Sequence, residues 1–186
     1  EGHQLKFQYQ RFYAEDVGIP GGAPFTEQAT ATYPEEKRTL YSAEYSVQGF
    51  MPSMTDISLK YYHQYILRDV AIRPNISSYP ADTLRVTPER ITPTGKHHTD
   101  GLKLQTSWNL KDHHRIIAGM DLWQRHLNTE REKYILREHL DLQGNPLDST
   151  YIVRGEKPIP ESSYGSGGMF FQDEWTPIKE KLKITL

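Results

Sequence analysis

The chain has 186 residues, a formal charge of −2 and no cysteine. This charge balance, without a basic patch interleaved with aromatic residues, excludes a typical nucleic-acid-binding protein. Because cysteine is absent, disulfides, thiolate nucleophiles and cysteine metal sites are excluded too. No run of about eighteen apolar residues predicts a transmembrane helix.

Seven runs of alternating apolar and polar residues predict β-strands, because strand side chains point to opposite faces with period two. In chain order the runs are Gln4–Tyr13, Arg38–Phe50, Asp56–Val70, Gly101–Leu110, Arg115–Leu127, Gly168–Pro177 and Lys181–Leu186. Short turns at about Met51–Thr55, Lys111–His114 and Ile178–Glu180 predict antiparallel hairpins. The other connections are long and polar. We therefore predict an all-β, antiparallel up-and-down meander of about seven strands.

The parity of each run predicts which side chains share a face of the sheet. One face should carry Leu59, Tyr61, Leu104, Trp108, Ala118, Met120 and Leu122. The other should carry Lys60, Gln64, Lys103, Gln105, Asp121, Gln172 and Glu174. We predict that the first set faces lipid and the second faces the lumen of a barrel.

The length of the runs and the aromatic residues near their ends distinguish a membrane barrel from a soluble sandwich. Most runs have about ten residues or more, close to the roughly 9–11 that a tilted strand needs to cross a bilayer. Strands of soluble sheets have about five or six. Large aromatics near the run ends are typical of interfacial girdles: Phe12, Tyr13, Phe50, Trp108, Trp123 and Trp175. This combination favours a transmembrane β-barrel.

The ends of the sequence suggest a piece of a larger barrel. The chain opens in one strand-like run and stops within another, at Lys183–Leu186. Bacterial single-chain barrels have an even number of strands, whereas seven are predicted here. No signal peptide opens the chain, so we expect a processed or excised segment.

Several of these segments resemble the barrel of TonB-dependent outer-membrane receptors. They are Leu5–Gly22, Tyr33–Ser42, Leu59–Tyr65, Gly101–Thr106, His114–Trp123, Gly168–Pro177 and Lys181–Leu186. The resemblance covers nearly the whole chain except the loops. It implies that residues 1–186 are part of a 22-stranded barrel in the outer membrane of a Gram-negative bacterium, without the plug domain.

The resemblance also implies a function and partners. Such receptors import a ferric siderophore, haem or cobalamin, driven by the inner-membrane TonB complex acting through the plug domain. The expected partners are therefore outer-membrane lipid, the imported chelate and, through the absent plug, the TonB complex. Few histidines lie in the predicted outer loops, which favours a siderophore over haem.

Three long connections, Ala14–Glu36, Ala71–Lys96 and Asn128–Gly167, are predicted to be outer loops that close over the ligand. They contain aromatic and cationic residues suited to an anionic, aromatic chelate. The candidate ligand-binding residues are Phe25, Tyr33, Arg73, Tyr79, Arg85, Arg90, Tyr134, Arg137, Tyr151 and Arg154.

Other motifs favour structural roles, and we predict neither a cofactor nor a metal site. The pairs His97–His98 and His113–His114 are adjacent residues, so each pair offers at most one ligand per face; the second is predicted to be a solvated turn. Asp141–Asp148 lacks the alternate oxygen ligands of a calcium loop and is predicted to be a turn. Asp173 and Glu174 should point to opposite faces, which excludes a paired acid and base.

The chain is therefore predicted not to be an enzyme. It lacks the Gly-x-Ser-x-Gly and His-Glu-x-x-His patterns, and no specific serine pairs with a specific histidine as a barrel hydrolase would require. Two alternatives stay open: a passive porin-like barrel and a soluble β-sheet ligand-binding protein.

Overall fold

A computed structural model of the chain describes residues 2–19, 29–111, 113–178 and 182–186, all as strands and their connections. The strands are β1 (Gly2–Gly18), β2 (Thr30–Gln48), β3 (Met54–Arg73), β4 (Ser78–Ala81), β5 (Leu84–Leu110), β6 (His114–Leu140), β7 (Pro146–Glu156), β8 (Ser162–Ile178) and β9 (Leu182–Thr185). In these described ranges no helix is long and apolar enough to span a membrane.

All strands belong to one nine-stranded antiparallel sheet, in the order β1-β2-β3-β5-β6-β8-β9. The seven strands on this path correspond to the seven predicted runs, so the all-β meander is confirmed. The hairpins β2–β3 and β5–β6 turn within residues 49–53 and 111–113, close to the predicted positions. Ile178 pairs with Leu182 at the third hairpin, and residues 179–181 lie outside the described ranges. The sheet is not closed, because β1 and β9 are its two edges.

The prediction of irregular outer connections was wrong for much of their length. β5 and β6 each have 27 residues and continue far into the segments that we expected to be loops. The additional strands β4 and β7 pair with β5 and β6 there. Thus β6 pairs with β8 through Leu127 and with β7 from Arg131 onward. We call β4, β7 and the adjoining halves of β5 and β6 the outer sheet.

The register brings the two predicted sets of side chains onto separate faces. Leu59 pairs with Leu104, which pairs with Met120; Lys60 pairs with Lys103, which pairs with Asp121. Partners across a ladder point the same way, so every member of each set shares a face with the others. We call the Leu59 side the apolar face and the Lys60 side the polar face.

Very little of the described chain forms a buried core, since its only buried apolar side chains are Val47, Met54 and Leu140. Within the described ranges, no side chain is fully buried. Apolar residues remain open to solvent, such as Phe7 with 73% and Met169 with 84% exposure. An exposed apolar surface of this extent marks an interaction surface.

Two of the aromatic residues predicted to form interfacial girdles lie on the polar face and not on the apolar face. Phe12 pairs with Arg38, and Trp123 pairs with Gly101, which in turn pairs with Tyr62 on the polar face. Sequence position near a run end could not reveal this, because the parity of each residue decides its face.

Candidate ligand-binding surface

Three predicted ligand-binding residues lie at the strand ends or outside the described ranges. Phe25 belongs to residues 20–28, which are not described. Tyr33 lies on β2 opposite Val17, and Arg73 ends β3 opposite Thr30. Tyr33 and Arg73 therefore belong to strands, and pairing with a neighbouring strand fixes their backbones.

The outer sheet brings together five of the predicted residues on the side that continues the apolar face. The guanidinium of Arg90 lies 6.0 Å from the ring centre of Tyr134, whose ring is 6.3 Å from that of Tyr151. Arg85 bonds to Glu138 through Nε at 2.6 Å and also interacts with the Tyr79 hydroxyl. This hydrogen bond raises the pKa of Arg85 and lowers the pKa of the Glu138 carboxyl.

The pKa values of two tyrosines in this group are also raised. The Tyr134 hydroxyl donates a 2.6 Å hydrogen bond to Glu132, which raises the pKa of that tyrosine. Desolvation, with the neighbouring Glu89 carboxylate, raises the pKa of Tyr151. Both hydroxyl protons are therefore donated to carboxylates, and each phenol oxygen is left as a hydrogen-bond acceptor.

The opposite side of the outer sheet is basic. Arg131 and Lys133 both bond to Glu156, Lys133 at 3.1 Å, and these bonds lower the pKa of the Glu156 carboxyl. Arg154 stands opposite Lys133, and Arg137 lies four residues further along β6. Arg131, Lys133 and Arg154 surround Glu156, and Arg137 lies further along the same side, which also carries Asp148 opposite His139. This side has more cations than carboxylates and continues the polar face. The predicted residues Arg137 and Arg154 are therefore separated from the other five by the sheet itself.

A second group lies on the polar face, nearer the middle of the long strands. It consists of Tyr62, Trp123, Arg125 and Tyr164, and we call it the aromatic–arginine cluster. The Arg125 guanidinium carbon lies 5.5 Å from the Trp123 ring centre and 5.8 Å from that of Tyr164. Trp123 and Tyr164 meet edge to face, with ring centres 5.4 Å apart.

Hydrogen bonds hold Arg125 in this position. Its Nε donates to the Thr99 hydroxyl at 2.9 Å, and Nη1 donates to the Tyr164 hydroxyl at 3.1 Å. Thr99 is almost fully buried, which fixes the acceptor. A guanidinium between two rings keeps further N–H donors for an anion or a ligand oxygen.

Gly101 provides space for the Tyr62 ring beside the cluster. A Cβ at Gly101 would lie 2.1 Å from the nearest ring carbon of Tyr62, so any other residue would displace the ring. Lys103 Nζ lies 5.9 Å from the Tyr62 ring centre and 2.6 Å from Asp121. The glycine thus leaves room for the Tyr62 ring over the strand, next to the Lys103 cation.

This cluster was not predicted from the sequence. Trp123 and Arg125 are two residues apart on one strand, which predicts a shared face. Tyr62 and Tyr164, however, join them only through the pairing of β3, β5, β6 and β8. Only the Trp-x-Arg spacing was therefore visible without the register.

The structure confirms the predicted faces of the first histidine pair but not the predicted turn at the second. His97 and His98 lie within β5 and point to opposite faces, because His98 pairs with His126 whereas His97 pairs with Leu127. His114 belongs to the second pair. It begins β6 and bonds to Asp173 at 2.8 Å, so it is not a solvated turn residue.

Asp141 forms a hydrogen-bonded turn, as predicted. Its carboxylate accepts bonds from the backbone N–H groups of Gln143 and Asn145, and Gly144 takes a positive φ of 84°. These bonds, chiefly those from Asn145, lower the pKa of Asp141. Among the described side chains, no group of three or more histidine or carboxylate residues is arranged to hold a metal ion.

No protein-family model matches the chain, and no curated protein sequence is detectably similar to it.

Proposed function

We propose that the chain is a segment of a transmembrane β-barrel in the outer membrane of a Gram-negative bacterium. It belongs to a TonB-dependent importer of a ferric siderophore or a similar metal chelate. In this proposal the apolar face contacts lipid, the polar face lines the lumen, and the outer sheet projects outside the cell.

The main support for the proposal is the segregation of the two faces with very little buried core. One row of apolar side chains crosses six strands and consists of Leu5, Tyr45, Leu59, Leu104, Met120 and Met169. No layer of the described chain covers these exposed side chains. A bilayer would cover them and so remove the cost of hydrating a broad apolar surface.

The shape of the apolar face also suits lipid chains. Gly165 and Gly167 leave a shallow groove of about 590 Å³ beside Tyr61, Leu102 and Leu122, and the polar residues Asp100 and Gln124 line its outer end. Below it, Trp108 and Trp175 lie near the short-turn ends of β5 and β8, where amphipathic rings suit a membrane interface.

The polar face is consistent with a water-filled lumen. Ion pairs cross its strands, between Lys60 and Glu44 at 3.7 Å and between Lys103 and Asp121 at 2.6 Å. The aromatic–arginine cluster lies on this face, and the basic side of the outer sheet continues it. An anionic, aromatic chelate would meet arginine N–H donors and ring faces along this path.

Single cysteines provide a direct test of the two faces, because the chain contains none. We would introduce L104C and M120C on the apolar face, with K103C and Q105C as neighbours on the polar face. In whole cells, a small water-soluble maleimide should label the polar-face cysteines only. In denaturant all four should react equally. Equal labelling of the four in cells would reject the barrel.

Uptake measurements then separate an importer from a passive porin. Cells with the full-length protein should accumulate one radiolabelled ferric siderophore, and removal of TonB should abolish the accumulation. Uptake that persists without TonB would support a passive pore instead. A protein recovered entirely in the soluble fraction would support the soluble β-sheet alternative.

A further inference from the structure

Toward the outer sheet, the side chains on the apolar face change from apolar to basic and then to acidic. One row across the sheet consists of Arg11, Thr39, Tyr65, His98, His126 and Ser163. The next row outward consists of Tyr13, Lys37, Leu67, Lys96 and Asn128. Neither row contains a carboxylate. We call Arg11, Lys37 and Lys96, with His98 and His126, the basic band.

A row of carboxylates follows immediately. Glu15, Glu35, Asp69, Thr94 and Glu130 pair in succession across five strands, two residues beyond the second row. Four of these five side chains are acidic. Each strand rises about 3.4 Å per residue, so the acidic row lies roughly 7 Å beyond Lys37 and Lys96.

The opposite face does not separate its charges in this way. Between the same rows, Glu36 and Arg68 lie next to each other on the polar face, at 3.7 Å. On the apolar face, Lys37 approaches Glu35 at 3.8 Å, whereas Arg11 and Lys96 are exposed. On the apolar face, the two basic rows are therefore followed outward by a separate acidic row. On their inward side the nearest carboxylate, Asp100, is bonded to Tyr61 and His63.

We propose that the basic band binds the phosphate groups of lipid headgroups in the outer leaflet; this inference rests on the proposed barrel. The band continues the apolar surface along the same strands, so acyl chains on that surface would bring their headgroups to it. Lysine and arginine at this position attract anionic headgroups, and arginine can bind a phosphate through two N–H groups. The acidic row repels phosphate and so limits how far from the membrane it can bind.

The test uses the full-length protein in phosphatidylcholine nanodiscs with a photo-crosslinking phosphatidic acid, whose headgroup is a phosphate monoester. A phosphatidylcholine probe with the same crosslinker serves as the reference. Peptides that contain Arg11, Lys37 or Lys96 should be labelled several-fold more by the phosphatidic acid probe. Excess inorganic phosphate should not abolish the preference. If it does, the ligand is phosphate itself and the lipid assignment is wrong.

Matched variants separate the band from general charge. The combined variant Arg11→Gln, Lys37→Gln and Lys96→Gln should lose preference by up to about fivefold per removed charge. Arg11→Lys should retain most of it. The control Lys6→Gln, Arg38→Gln and Arg68→Gln removes three exposed cations from the polar face and should leave the preference unchanged.

Two failures can be distinguished. If neither probe labels Leu59 or Met120, the apolar face does not contact lipid, and the proposed barrel fails. If both probes label those residues but the phosphatidic acid shows no preference at the basic band, only the present inference is overturned. An unchanged preference in the combined variant would also overturn it.

Discussion

The two halves of strand β6 differ in how they divide their side chains between the faces. From Ile116 to Leu122, one face is apolar, whereas the other carries Asp121 in an ion pair with Lys103. From Glu130 to Glu138, both faces carry charge. Glu138 bonds to Arg85 on one side, and Arg131 bonds to Glu156 on the other.

This difference indicates what surrounds each half. A strand with one apolar face requires an apolar neighbour on that side, whereas a strand with ion pairs on both faces is suited to water on both. In the proposed barrel, β6 would thus pass from lipid on one face and water on the other to water on both faces. The change falls near Asn128, where β6 also exchanges β8 for β7 as its neighbour.

The largest expected effect comes from placing an arginine on the apolar face of the inner part of the sheet. The comparison is an arginine on the same side of the outer sheet. Leu59→Arg should destabilise the folded protein in lipid by about 2–4 kcal/mol, the cost of arginine near the middle of a bilayer. Val153→Arg, at a similarly exposed position on β7, should change stability by less than about 0.5 kcal/mol. Urea titration in vesicles would measure both. Equal effects would remove the proposed difference in environment.

The next prediction compares two glycines, one in the inner part of the sheet and one in the outer sheet. Gly101→Val should cost about 1–3 kcal/mol, because its side chain would overlap the Tyr62 ring. Gly155→Val should be nearly neutral, since no atom lies within 4 Å of its Cβ position. In the double variant Gly101→Val, Tyr62→Ala, most of the cost of the glycine substitution should disappear. A cost that persists without the ring would show that the strain has another source.

The inner half of the sheet was easier to predict than the outer half, for a physical reason. Alternation such as that of Leu102, Lys103, Leu104 and Gln105 is expected where the two faces of a strand meet different media. It therefore predicts both the strand and the face of each side chain. In β7, Tyr151 to Arg154 lie in a strand that the proposed barrel would expose to water on both sides, where no medium imposes alternation. The outer strands were therefore mistaken for loops.

The candidate site shows the same limit at the level of single residues. Sequence could identify arginines and tyrosines in the outer connections, but not that the sheet divides Arg90 and Tyr134 from Arg137 and Arg154. Nor could it bring Tyr164 to Arg125, because that contact depends on the pairing of Ser162–Leu127 and all residues beyond it. Register is a property of the assembled sheet.

Arg125 and Arg68 allow a test of the aromatic–arginine cluster. If the polar face lines an import pathway, Arg125→Gln should weaken binding of the imported ferric siderophore by about tenfold, because one charge-assisted hydrogen bond and its cation–π contacts are lost. Arg68→Gln, an exposed arginine on the same face, should have little effect. Fluorescence titration of the full-length protein would measure both affinities. Equal affinities for the two variants would exclude the cluster from the pathway.

The smallest expected effect is a pH dependence confined to the outer half. The bond from Arg85 lowers the pKa of the Glu138 carboxyl, so this contact stabilises the outer sheet above the unfolded glutamate pKa of about 4.3. The stabilisation should be lost as the pH falls through the lower folded pKa. Hydrogen exchange, corrected for its intrinsic pH dependence, should show faster opening of residues 84–86 and 137–139 under acid. In Glu138→Gln the acid-dependent change at these residues should vanish, while residues 116–122, which do not contact Glu138, should respond to acid as they do in the unsubstituted protein. If the acid response persists in Glu138→Gln, another carboxylate controls this part of the sheet, and Glu156, bound by Arg131 and Lys133 on the opposite side, is the next to substitute.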